Sequence, residues 1–178
     1  PLHFAANFEN IEVARILLAC GASVHVDSPL GTPLHMAASE GKVPMIKLLL
    51  AHGANMYARD QWGRTPLYDA IYDLNYDATE FLLKRGAWQI AQEDGESNVL
   101  QDNMGRTPLH TAVIRLNEIE DYGNKCKANP LVAMMDPDKY LIRYLVLKDE
   151  KRCLAKLIFS YQKTLADVKD HLGKTAYE

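Results

Sequence analysis

The sequence predicts an all-α solenoid of antiparallel helix pairs, stacked side by side and linked by projecting β-hairpin-like turns. Three observations predict it. A short motif recurs as Pro1-Leu2-His3, Thr32-Pro33-Leu34-His35, Thr65-Pro66-Leu67-Tyr68 and Thr107-Pro108-Leu109-His110, with its prolines 32, 33 and 42 residues apart. Small residues follow each occurrence (Ala5-Ala6, Ala37-Ala38, Ala70, Ala112). The first three then run into an apolar stretch closed by Gly-Ala: Ile16-Leu17-Leu18 to Gly21-Ala22, Leu48-Leu49-Leu50 to Gly53-Ala54, and Phe81-Leu82-Leu83 to Gly86-Ala87.

Each element follows from its residues. Thr before Pro caps a helix, and Pro at the first helical position loses no hydrogen bond because that N–H has no intrahelical partner. The paired alanines let a neighbouring helix approach closely, and the triple apolar run supplies the buried stripe of a second, antiparallel helix. Gly after that helix permits the left-handed conformation that ends it. Asp60-Gln61-Trp62-Gly63-Arg64 and Asp102-Asn103-Met104-Gly105-Arg106 read as projecting turns between units. The segment from Asp27 to Leu30, with its Gly at 31, is one residue shorter. A single unit cannot bury its apolar face, so neighbours must stack.

Motif, spacing and closing turn together resemble the ankyrin repeat, whose period is about 33 residues. A tetratricopeptide-like solenoid has a similar period but lacks the Gly-Ala and Asp-x-x-Gly pairs. The resemblance implies one domain over 1–178, with repeats at about 1–26, 27–59 and 60–101, an irregular one at 102–135, a degenerate one at 136–169 and the start of another at 170–178. It also implies that His3, His35 and His110 hydrogen-bond turn backbone between repeats. The opening at Pro1-Leu2-His3, inside the motif, suggests a segment of a longer protein.

Two places break the pattern. The third repeat carries a surplus at Gln92 to Gln101, in the projecting turn, which reads either as a tolerated surface loop or as a partner-contacting finger. Beyond Leu116 the register persists, with Asp102, Asp136 and Asp170 each 34 residues apart, while the motif fades. Asn117 to Lys127 is polar and offers no buried stripe, so an irregular excursion is expected. The second helix of that repeat is then either Asn129 to Met135 or Asp138 to Lys148. Tyr140 to Leu147 and Arg152 to Tyr161 read as the helix pair of the degenerate repeat.

Composition narrows the function. The net charge of -3 divides into -7 over 1–138 and +4 over 139–178, but the basic residues are spread along a helical pattern, without the aromatic interleaving of a single-strand-binding surface. Nucleic acid is not the expected partner. Apolar runs fall far short of the roughly 20 residues that span a bilayer. Three scattered cysteines, Cys20, Cys126 and Cys153, suit a reducing compartment, intracellular and cytoplasmic, with Cys20 and Cys153 expected in second-helix cores. There is no C-x-x-C, H-E-x-x-H, Gly-rich phosphate loop or G-x-S-x-G. No catalytic residue, metal site or cofactor is therefore expected, and Cys126 near His110 is too weak a pairing to suggest a nucleophile.

The ankyrin resemblance implies that turns and first helices line a concave surface that binds another protein. On that pattern the candidate contacts are Phe8 and Glu40 from the first two inner helices, Trp62, Arg64, Met104 and Arg106 from the turns, and Tyr72, Asp73 and Arg115 from the later inner helices. Trp62 and Tyr72 are either packing covers or interface anchors, residue types that often dominate binding energy. The rival is a regulatory or substrate-recruiting part of a larger enzyme. Oligomeric state is not specified.

Overall fold

The computed structural model describes residues 1–87, 101–108, 110–115, 118 and 173. The expectations for residues 92–100, 117–127 apart from 118, 129–169 and 170–178 apart from 173, and for Cys126 and Cys153, lie outside the described residues.

Among the described residues six helices form three antiparallel pairs: α1 (Leu2–Asn7) with α2 (Ile11–Ala19), α3 (Pro33–Ser39) with α4 (Val43–Ala51), and α5 (Pro66–Tyr72) with α6 (Tyr76–Lys84). A fourth unit begins with helical residues 108 and 110–115. Among the described residues there is no strand, so the projecting turns carry no ladder. The inner row α1, α3, α5 packs more closely than the outer row α2, α4, α6. Fully buried Ala37, Ala38 and Ala70 are the reason, since a methyl side chain lets helix backbones approach.

The core is the set of motif leucines and second-helix stripes. Leu34, Leu67, Met45, Ile46, Leu49, Ile71 and Leu82 are all fully buried. Truncating any of these to Ala would cost about 2–5 kcal/mol. Val13 and Ile16 of α2 are exposed, whereas Met45 and Leu48, at the same positions of α4, are buried against the preceding pair.

Two local expectations are corrected. Cys20 is an exposed free thiol, because it occupies the cap position that His52 and Arg85 hold in the next pairs, on the solvent side of the helix end. Thr65 starts α5 without a side-chain cap bond, and its hydroxyl is buried with no partner. The inner-to-outer turn also needs a left-handed residue. Gly41 (φ 68°) supplies it in the second pair, but Glu9 (φ 52°) and Leu74 (φ 60°) hold that conformation in the first and third.

Candidate functional site

Two turns are built alike and set the geometry of one face. The buried carboxylate of Asp60 accepts the N–H groups of Trp62 (2.9 Å) and Arg64 (2.8 Å) through Oδ1, while Oδ2 accepts Nε (2.9 Å) and Nη2 (2.7 Å) of Arg64. Asp102 repeats the arrangement with Met104 (2.9 Å), the Arg106 N–H (2.9 Å), and Nε (2.8 Å) and Nη2 (2.7 Å) of Arg106. An Asp-x-x-Gly-Arg string folds this way because the short carboxylate closes the loop locally while Gly63 takes φ 76°. The residue two after each Asp is thereby pushed to the tip. Adjacent tips are joined by the Asn103 N–H, which donates to Trp62 O at 2.9 Å.

The motif imidazoles tie each inner helix to the turn that follows. His35 Nδ1 accepts the Thr32 N–H at 3.0 Å, so the ring proton resides on Nε2, which donates to Arg64 O at 3.1 Å. Burial lowers the His35 pKa and keeps the ring neutral, as that tautomer requires. His3 Nε2 donates likewise to Gly31 O at 3.0 Å. His110 makes the local bond, accepting the Thr107 N–H at 3.2 Å. In the third repeat Tyr68 stands where the others have His, and its hydroxyl donates to Arg106 O. The longer phenol reaches the same turn but has no nitrogen for Thr65, which explains the orphaned Thr65 hydroxyl.

Between the third and fourth units these parts frame a cleft lined by Arg64, Arg106 and Arg115 with Tyr68, Tyr72, Thr111 and Ile114. The Arg64 guanidinium lies 4.4 Å from the Trp62 ring centroid and that of Arg115 lies 4.3 Å from Tyr72, within cation–π range. Arg115 Nε also donates to Tyr72 O at 2.9 Å. Around the cleft, Trp62, Tyr72, Met104 and Ile114 are each 40–59% exposed.

Six of the nine sequence-predicted contacts meet on this face: Trp62, Arg64, Tyr72, Met104, Arg106 and Arg115. Phe8 and Glu40 are exposed but sit on the first and second units, away from it. Phe8 stacks on Phe4 at 6.3 Å. Asp73 is half-buried and accepts the Ser39 hydroxyl at 2.6 Å, which makes it a tie between inner helices. Sequence reasoning missed the cleft's floor, Tyr68 and Thr111, because motif positions read as packing.

It also missed Asp69. Only 6% exposed, its carboxyl is pushed up to about 7 by burial, while Arg64 Nη2 at 3.6 Å pulls it down only in part. Asp60 already holds that guanidinium. No sequence signal marked it: the same motif position carries Phe4, which is exposed, and Met36, which is half-buried, so coverage at 69 is set by the adjoining unit.

Among the described residues no group of three or more His, Cys, Asp or Glu is placed to hold a metal ion, and no helix is long and apolar enough to cross a membrane. The family model described as ankyrin repeats (3 copies) matches residues 2–94. No curated protein matches the chain.

Proposed function

The chain belongs to the ankyrin repeat family, and from that premise we propose that it binds a partner protein through the face formed by the Trp62 and Met104 turn tips and the inner-helix residues Tyr72, Ile114 and Arg115. Ankyrin repeats are protein–protein interaction modules. One observation carries the location: four large apolar side chains, each at least 40% exposed, gather around three arginines on a rigid, locally hydrogen-bonded scaffold. Aromatic residues, Met and Arg are the types enriched where protein surfaces meet. We retain Phe8 and Glu40 as outlying contacts for a long partner. The repeat boundaries, about 27–59 and 60–101, are part of the same proposal. The exposed thiol of Cys20 fits a reducing compartment and supports an encounter inside the cell.

The test is site-specific photocrosslinking with the full chain, with the crosslinker at position 72 or, as a control, at exposed Lys47 on the outer row. Capture at 72 that is absent at 47 supports the proposal, provided Trp62→Ala abolishes it without lowering Tm. Equal capture at both positions, or a Trp62→Ala variant that melts earlier yet binds normally when folded, refutes it.

A further inference from the structure

The charge arrangement of the cleft identifies the kind of group it receives. Among the described residues its ionisable lining is three guanidiniums and two phenols, with no carboxylate. The counter-charges of Arg64 and Arg106, Asp60 and Asp102, are fully buried behind them. Asp60 takes Nε and Nη2 of Arg64, and Asp102 takes the same atoms of Arg106, which leaves each Nη1 without an acceptor among the described residues. Arg115 gives Nε to Tyr72 O and Nη1 to Glu118. The Glu118 side chain is 55% exposed, so this last ion pair is readily exchanged.

Resting on the reading of this face as the partner site, we infer that the cleft receives the carboxylate of an Asp or Glu side chain flanked by apolar residues on the partner, in the place Glu118 occupies on Arg115. The guanidinium edges supply planar donors suited to a carboxylate, and the exposed rings of Trp62 and Tyr72 with Ile114 accept the apolar neighbours. Once the partner carboxylate displaces Glu118, the three arginines keep short ion pairs only with Asp60 and Asp102, and the one positive charge left over matches one monoanion and not a dianionic phosphate.

The experiment selects binders to the full chain from a displayed library of random peptides about 12 residues long. At about 3.3 Å per extended residue that length reaches about 40 Å, enough to cross the cleft and about four helix layers of roughly 10 Å each. Selected peptides should share an acidic residue beside an aromatic or aliphatic one. Changing that residue to its amide should weaken binding about tenfold or more, the scale of a charge-assisted hydrogen bond. Arg115→Gln should weaken it similarly, and Glu118→Gln should strengthen it several-fold. The amide change touches only the peptide, so misfolding of a variant cannot mimic the result. Peptides that require Trp62 and Tyr72 but carry no acid overturn this inference and leave the partner face standing. Tighter binding of a phosphoserine replacement overturns it as well. Peptides indifferent to Trp62→Ala and Tyr72→Ala, or no selected binder, overturn both.

Discussion

Asp69→Asn should stabilise this protein at neutral and alkaline pH and leave it unchanged in acid. The carboxyl occupies a covered inner-helix position, and burial is the largest cause of its rise from 3.8 to about 7. Between about pH 4 and about pH 7 the folded chain keeps a proton on Asp69 that the unfolded chain has released, so stability falls as pH rises through that window. At about 1.4 kcal/mol per pH unit, the full penalty above pH 7 is about 4 kcal/mol. Asn has nearly the same volume and cannot ionise. Its loss of attraction to Arg64 is small, because that contact is 3.6 Å against 2.7 Å for the Asp60 pair. The gain expected at pH 8 is therefore about 2–4 kcal/mol, shrinking to nothing near pH 4. Urea unfolding of both proteins at pH 4, 6 and 8 measures it, because every other titrating group is common to the pair. Stability curves that stay parallel across pH, or an Asn variant weaker at pH 8, would falsify the assignment of Asp69 as a buried, uncompensated acid.

Three further outcomes follow from the same geometry. Thr32→Val should cost about 1–2 kcal/mol, because the Thr32 hydroxyl pairs with His35 Nδ1 at 3.0 Å, whereas Thr65→Val should be neutral or stabilising, because the Thr65 hydroxyl is buried without a partner; equal effects in chemical denaturation would contradict this. Gly63→Ala should destabilise more than Gly53→Ala: both glycines have positive φ, but a Cβ at 63 would stand 2.3 Å from Asn103 Oδ1 and 3.0 Å from its backbone N, while at 53 it meets nothing within 4 Å. The Gly53 variant should lose only the left-handed penalty of about 1–2 kcal/mol, and the order of the two melting temperatures checks it. Trp62→Ala and Tyr72→Ala should each weaken partner binding by about 2 kcal/mol or more with Tm nearly unchanged, as calorimetric titration with a captured partner would measure.

The repeat, its helices and the exposure of its turn tips were legible in the chain because they depend on neighbours in sequence. Thr32-Pro33, the Leu48-Leu49-Leu50 stripe and Gly53 act over one or two helical turns, and Asp60 and Asp102 close their loops within four residues. Recurrence at about 33 residues then implied stacking, since no single pair can cover its own apolar face. What only the tertiary structure decided is which of those residues face one another across repeats. Arg115 lies over Tyr72, 43 residues away, and Tyr68 reaches Arg106 in place of a histidine, so the cleft exists only once the third and fourth units are in register. Asp69 and Cys20 were misjudged or missed for the same reason: whether a position is covered depends on the adjoining layer, and residue type alone carries no information about which layer that is.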